Sequence, residues 1–516
     1  MQPESGQSVS LWIATAQVPV YAPLNEDAEA DVCIIGAGIA GLNVAYQLAK
    51  AGRSVVVLDD GPIGGGETSR TTAHLSNEID DSYVEIERLH GARGAQLAFE
   101  SHNAAIDEIE SIARLEGIEC DFARLDGYLF TAPGENTQIL DDELEAAHRA
   151  GHKAVEKVER APLVDFESGP ALRFSRQGQF HVLKYLDGLA GAVEKYGGKI
   201  YCGTHAEKIS TESEDVARVE IAGGHEVTCK FVVVATNSPF NDMVTMHTKQ
   251  AAYRTYVIGA QVPKGAVEPG LYWDTAEPYH YVRLQTLDEN NEVLIIGGED
   301  HKTGQADDAD SRYANLEEWA RERFTPLGEV LFRWSGQVLE PVDGLAFIGR
   351  NPSDSPNVFI ATGDSGMGMT HGTIAGILIR DLILGRDNEW ATLYNPARKT
   401  LRAAGEFLKE SGNMAAQYAD WVTGGDVESV EDIAPGEGAI LRRGLHKIAC
   451  FRDQSGTLHE KSAVCPHLGG IVRWNSSEKS WDCPAHGSRF DALGCVVNGP
   501  ANSDLPANSD LNDVES

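Results

Sequence analysis

A chain of 516 residues is too long for one ordinary core, and a prior of about 150 residues per domain predicts three or four folding units. Its 43 Lys+Arg against 78 Asp+Glu leave a net charge of −35, which disfavours nucleic-acid phosphates and anionic membrane surfaces as partners. Solubility is the plain reading of that acidity, with a salty cytoplasm as the alternative. The opening MQPESGQSVSLW lacks a basic stretch followed by an apolar one, and nowhere do about 18 uncharged apolar residues run together. Neither an export signal nor a membrane span is expected. Eight cysteines form no disulfide framework; Cys33, Cys120, Cys202, Cys229, Cys450 and Cys495 read as reduced thiols, and a cytoplasmic location follows.

Residues 31–35 are a short apolar run ending in Gly36-Ala-Gly38-Ile-Ala-Gly41, and residues 42–51 carry helix formers with one apolar face. In a strand-turn-helix, Gly36 makes the tight turn, Gly38 admits a pyrophosphate close to backbone, and Gly41 lets helix pack on strand. The helix start adds amide donors and a favourable dipole. A second strand over 54–58 ends at Asp59, 23 residues after Gly36, where a carboxylate would accept from ribose hydroxyls; Asp60 is the adjacent alternative. This pattern predicts a dinucleotide and leaves NAD and FAD open.

Three further stretches resemble the FAD-dependent superfamily of D-amino-acid oxidase, glycine oxidase and sarcosine oxidase. They are Gly64-Gly-Gly-Glu-Thr-Ser69-Arg70-Thr71-Thr-Ala73, Phe231-Val-Val-Val-Ala235-Thr-Asn237, and Gly344-Leu-Ala-Phe-Ile-Gly349 followed by Ala361-Thr-Gly363-Asp-Ser-Gly366-Met-Gly368-Met-Thr370-His-Gly372. The resemblance spans about residues 28–385. It implies FAD in an α/β Rossmann-type domain with an inserted α+β substrate domain, the cofactor contacted in these stretches by Ser69, Arg70, Thr71, Ala235, Gly363, Gly366, Gly368 and Thr370. The division expected is 28–90, 171–245 and 335–385 for the FAD domain, and 91–170 with 246–334 for the substrate domain. Helices over 96–115 and 138–159 and strands over 253–262 and 292–297 are predicted within the insertion.

The inserted strands hold Tyr253-Arg254-Thr255-Tyr256 and Tyr279-His280-Tyr281-Val-Arg283. The resemblance implies that such a sheet roofs the flavin and that an Arg and a Tyr hold a substrate carboxylate, a task suited to a guanidinium fork. Tyr256, Tyr281, Arg283 and Arg333 are the candidates. The alternative is a packed face with the arginines reaching solvent, because sequence does not say which side of the sheet meets the flavin. His74 and His371 lie in flavin-contacting motifs, where a hydrogen-bonded structural role competes with a role at the flavin.

A polar helical connector is expected over 386–425, with Leu401, Ala404, Phe407 and Leu408 on one side. Short apolar runs at 439–441, 446–451 and 458–464 then predict a small all-β domain over 426–505. It contains Cys465-Pro-His467, fifteen residues, and Cys483-Pro-Ala-His486. One Cys and one His from each of two loops is the ligand set of a Rieske [2Fe-2S] cluster, with two thiolates on one iron and two imidazoles on the other. A Cys2His2 zinc site is the competing reading, but zinc fingers pair like with like in each half.

The flanks resemble Rieske loops, and Asn498-Gly-Pro-Ala501 resembles the proline loop over the cluster. The extra cysteines common in such loops are replaced by Gly470 and Ala485, and a frequent Tyr donor by Phe490, while Ser488 remains. Fewer donors to sulfur predict a potential in the lower or middle part of the Rieske range, roughly −150 to +300 mV. The repeated Pro-Ala-Asn-Ser-Asp-Leu at 500 and 506 predicts a flexible tail over 506–516.

Taken together these readings predict an enzyme that oxidises a small amine or amino acid by hydride transfer to flavin N5. Electrons then pass singly to the cluster and on to an external acceptor. The alternatives are reversed flow, with an outside donor feeding a flavin reductase or oxygen-activating enzyme, and an electron-transfer or redox-sensing protein without organic substrate.

Overall fold

In a computed structural model that describes residues 6–241, 246–352 and 354–507, the apolar runs build two large sheets and two small ones. The first sheet orders its strands Phe347–Arg350, Val358–Thr362, Glu226–Val234, Ala28–Ile35, Val55–Leu58 and Lys199–Tyr201. The inner pairings are parallel, as expected of strands that are apolar on both faces and covered by helices. Helices Ile39–Lys50 and Gly368–Ile383 lie side by side, and Gly376 permits it: a Cβ there would stand 2.9 Å from Asn43 Cβ.

The second sheet orders Val330–Pro341, Gln250–Pro263, Asn291–Lys302, His280–Thr286, Leu271–Asp274, Ala123–Phe130, Ala171–Gln179 and His74–Leu75. Ala171–Gln179 and all of Val330–Pro341 sit in this sheet. The helix expected over 96–115 is the end of a longer one, Ser82–Glu116, kinked at Gly91 (φ 75°). The helix expected over 138–159 stops at Arg149, because Gly151 takes φ 100° and the chain then enters the strand Glu156–Val158.

A bulge interrupts the second sheet. Arg254 pairs with His301 and Tyr256 with Gly298, so Glu299 and Asp300 together face the single residue Thr255. Glu299 takes a positive φ of 60°. Bulges of this kind re-aim side chains.

After Gln417 the chain forms two small antiparallel sheets. One is Glu437–Arg443, His446–Arg452 and Leu458–Ser462; the other is Arg473–Asn475, Ser480–Asp482, Arg489–Asp491 and Val496–Asn498. The connector is helical over Trp390–Leu393 and Ala404–Gln417. The packing of Leu401, Ala404 and Phe407 lies outside the described side chains, and Leu408 is exposed. Arg398 forks onto Asp343 on one side (2.6 and 2.8 Å), while Tyr418 and Trp421 donate to the Leu468 and Gly469 carbonyls on the other (both 2.9 Å). Part of the expected tail is tied down: Ser462 N donates to Pro506 O at 2.8 Å and Ala507 bridges Lys461. Residues 508–516 lie outside the described residues. No helix among the described residues is long and apolar enough to cross a membrane.

A buried ionic cluster seats the C-terminal domain on the rest. Glu478 is ion-paired to Arg70 (3.3 Å) and accepts from Ser8 and Ser335; Asp482 lies 3.7 Å from Arg254 and 3.2 Å from Arg489. Charges removed from water persist only when paired and hydrogen-bonded in this way.

Candidate functional site

A cavity of about 310 Å³ runs between the two large sheets. Its outer wall is the glycine turn. Gly36 has φ 109°, and a Cβ on it would stand 2.4 Å from Ala235 O; a Cβ on Gly41 would lie 1.8 Å from Gly36 O. No larger residue leaves the turn and helix this close. Asp59 accepts from the amides of Ala37 (2.5 Å) and Gly61 (2.8 Å), which fixes the loop across the strand ends.

Of the expected cofactor residues, Gly36, Gly38, Asp59, Arg70, Thr71, Ala235, Gly363, Gly366 and Gly368 line this cavity. Gly41, Ser69 and Thr370 stand behind it: Ser69 Oγ donates to Gly66 O (3.0 Å), and Thr370 Oγ1 meets His102 Nδ1 (2.9 Å). The start of the helix Gly368–Ile383 faces the cavity, so its amide dipoles favour negative charge there. The Arg70 guanidinium turns away toward Glu478, Ser8 and the Ser335 carbonyl.

Of the four residues expected to touch substrate, only Tyr281 lines the cavity; its hydroxyl meets Thr255 Oγ1 at 2.7 Å. Tyr256 lies on the other side of its strand, against His301 and Tyr313, because the bulge leaves Thr255 to face inward. Arg283 is fully buried and donates to the carbonyls of Thr72, Ala73 and Phe180. Its guanidinium holds chain together and leaves no fork for a carboxylate. Arg333 is half-exposed and pairs with Glu317.

The inner end of the cavity is instead aromatic and acidic. Trp273, Tyr279 and Tyr281 line it with Glu78, Asp80, Asp300 and Asp364. Tyr279 and Tyr281 have ring centroids 5.5 Å apart, and Tyr279 Oη donates to Asp80 Oδ2 at 3.4 Å. Loss of bulk water, then the charges of Asp81 and Asp300, push the Asp80 carboxyl up to about 8. Burial raises Asp300 and Asp364 to about 6 each. His74 and His371 are hydrogen-bonded to Thr72 and the Val282 carbonyl, and to the Asp364 carbonyl, respectively; burial above all lowers them to about 3 and about 4. Both are neutral at physiological pH.

The four proposed cluster ligands come together on two loops of the same build. Gly469 N donates to Cys465 O and Gly487 N to Cys483 O, each at 2.9 Å, and both glycines take a left-handed φ, 75° and 80°. Cys465 N donates to Gly470 O and Cys483 N to Ser488 O, each at 2.8 Å. Both cysteines are buried, and the His467 and His486 rings meet at 4.9 Å. Among the described residues no three such side chains are grouped to hold a single ion, whereas a Rieske cluster asks two protein ligands of each iron. The donor set fits the cluster.

Where a disulfide would join the loops, a Cβ on Gly470 would stand 3.1 Å from Ala485 Cβ. The loops touch there and close through backbone bonds instead. Ser488 Oγ accepts from Ala501 N at 3.0 Å.

Several residues at the join are invisible to motif reading. Glu67, in the small-residue loop, accepts from Gln337 N (2.7 Å) and Asn498 Nδ2 (2.8 Å). Gln337 Nε2 donates to Gly487 O (3.0 Å). His247 packs edge-on to His467 with centroids 4.8 Å apart. The loop of Asn498, Gly499 and Ala501 lines the large cavity itself.

The family described as FAD dependent oxidoreductase matches residues 31–382, and the Rieske [2Fe-2S] domain matches residues 423–509. The chain belongs to the FAD-dependent oxidoreductases and carries a Rieske domain. Its cofactors are FAD and a [2Fe-2S] cluster. A Bacillus subtilis protein named for a Rieske 2Fe-2S iron-sulfur centre, YhfW, is 32% identical over 501 residues, 95% of each chain. Gamma-glutamylputrescine oxidoreductase of Escherichia coli is 28% identical over 74% of this chain and 92% of its own. In fold, the chain is similar to glycine oxidase of Geobacillus kaustophilus, with a TM-score of 0.60 at 18% identity over 72% of this chain and 99% of that one.

Proposed function

We propose that this FAD-dependent oxidoreductase oxidises a small amine or amino acid in the cavity and sends the electrons through its Rieske domain to an external acceptor. One observation carries the reading: the loop of Asn498, Gly499 and Ala501, which belongs to the cluster domain, forms part of the wall of the FAD cavity. FAD accepts an electron pair and the cluster carries one electron at a time, so a shared wall suits a relay between them.

The chain's own residues supply position. The glycine turn and the helix start at Ile39 would hold the pyrophosphate, with Asp59 bracing the loop, and the helix start at Gly368 would point at the isoalloxazine. Tyr281, set by Thr255, faces the space left for substrate. Oxidation breaks one C–H bond of the substrate, the electron pair leaving to FAD; one N–H proton departs and a C=N bond forms, which water then hydrolyses. The match to an enzyme named for gamma-glutamylputrescine favours an amine.

Anaerobic mixing of the FAD- and cluster-loaded protein with amines, N-methyl amino acids and D-amino acids tests this. Bleaching of the flavin band followed by that of the cluster is the expected order, and in Cys465→Ser the flavin should still bleach. Reduction by an external protein donor alone would reverse the assigned direction.

A further inference from the structure

We propose that the inner end of the cavity is a cation subsite, which selects a diamine or polyamine and rejects substrates carrying a carboxylate. This rests on the amine-oxidising reading above and narrows it.

Four observations support the subsite. Asp80 and Asp300 face the same space as the rings of Trp273, Tyr279 and Tyr281, and aromatic faces beside carboxylates favour an organic ammonium. Oδ1 of Asp300 is buried and makes no hydrogen bond, and among the described residues the only neighbouring donor acting on this half-buried carboxyl is the Thr255 hydroxyl, which is shared with Tyr281. Asp300 reaches the cavity only because the bulge opposite Thr255 absorbs an extra residue, with Glu299 held at φ 60°. A backbone distortion that aims an acid into a cavity is costly to keep and commonly marks a site.

The fourth observation is the lack of an answering cation. Arg70 is the only Arg or Lys in the cavity lining among the described residues, and its guanidinium is bound to Glu478, Ser8 and the Ser335 carbonyl. His74 and His371 are neutral. No side-chain cation in the lining pairs with these carboxylates; only the helix start at Gly368 and a proton on Asp80 offset them, and an ammonium would do so more fully.

Chemistry then fixes where the charge lies on that ligand. The nitrogen whose carbon is oxidised must be neutral, since its lone pair forms the new C=N bond as the C–H bond breaks. A cation held by Asp80 and Asp300 is therefore a second nitrogen. A substrate carboxylate would meet like charge with no arginine to receive it.

The test is calorimetric binding to the FAD-loaded full chain, with 1,4-diaminobutane, n-butylamine and 4-aminobutanoate as probes. The diamine is expected to bind about tenfold or more tighter than the monoamine, and 4-aminobutanoate more weakly than either. Asp300→Asn and Asp80→Asn, each checked for retained FAD absorbance and melting temperature, are expected to erase the diamine preference. Equal binding of diamine and monoamine, tightest binding of 4-aminobutanoate, or a preference that survives both substitutions overturns the subsite. Flavin bleaching is read separately: a diamine that binds selectively but bleaches nothing overturns the oxidation and leaves the subsite standing.

Discussion

Gln337 donates its side-chain amide to the Gly487 carbonyl, 3.0 Å away, and so ties a strand of the cavity wall to the residue that follows the cluster ligand His486. Its own side-chain oxygen accepts from Thr303 Oγ1 at 3.1 Å, so the amide is held from both ends. Gln337→Leu leaves the Gly487 carbonyl without its donor, at about 1–3 kcal/mol. Hydrogen exchange at Gly487 and Ser488 should accelerate while exchange in the strand Ala28–Ile35 stays unchanged. Unaltered exchange at Gly487 would show that the bond does not hold the cluster loop.

Glu478 answers for the seating of the whole Rieske domain. Burial alone would raise its carboxyl, but Arg70, Arg254 and Arg489 outweigh burial and hold it down to about 2. The sign follows: its contribution is fully present above the ordinary carboxylate range and is lost as pH falls from about 4.5 toward about 2. Glu478→Ala removes it at neutral pH and strands Arg70 in the interior, costing about 3–5 kcal/mol. Urea unfolding at pH 7 should show that loss, and the difference between variant and parent should shrink as the buffer is taken toward pH 3. A gap that persists undiminished in acid contradicts the assignment.

Hydrogen bonds to sulfur set the third expectation. Ser488 lies against the Cys465 thiol and is itself held by Ala501 N. Phe490, fully buried on the strand beside Trp481, offers the sulfurs nothing. Voltammetry should place the cluster in the lower or middle part of the range of roughly −150 to +300 mV, with Ser488→Ala lower still and Phe490→Tyr higher. A parent potential at the top of the range sinks this account.

The motifs were legible because their physics is local. Gly36, Gly38 and Gly41 lie within one turn, and Cys465 with His467 and Cys483 with His486 each occupy one loop, so spacing alone reveals them. The substrate end was not. A period of two says that Thr255 and Tyr256 face opposite ways but not which faces the cofactor, and the bulge at Glu299 and Asp300 has no composition signal. Arg283 looked like a carboxylate fork because its carbonyl partners, Thr72, Ala73 and Phe180, are more than a hundred positions away. Glu67 and Gln337 were missed for the same reason: each gains its meaning from residues 150 or more positions distant.

The acidic end of the cavity should make ligand binding depend on pH in a defined direction. Asp80 is faced by Asp81, Asp300, Asp364 and Tyr279, and the start of the helix Gly368–Ile383 stands nearby, where a Cβ on Gly366 would lie 2.6 Å from Asp80 Oδ2. Lost hydration first and those neighbouring carboxylates second push it up to about 8, and because the side chain still opens onto solvent in the cavity the empty pocket holds a proton there for part of the time at pH 7. A bound ammonium favours the charged carboxylate and must expel that proton. Affinity for 1,4-diaminobutane should therefore tighten as pH rises from about 6 toward about 8, with the reacting nitrogen, which sheds its own proton to bind neutral, adding to the slope that Asp80 gives. Calorimetry in two buffers of different ionisation enthalpy counts the protons directly, and Asp80→Asn should lower both the count and the slope by the Asp80 share. Affinity that is flat or weakens over this interval would mean that Asp80 already stands ionised, and the acidic cluster would then lack the proton its crowding demands.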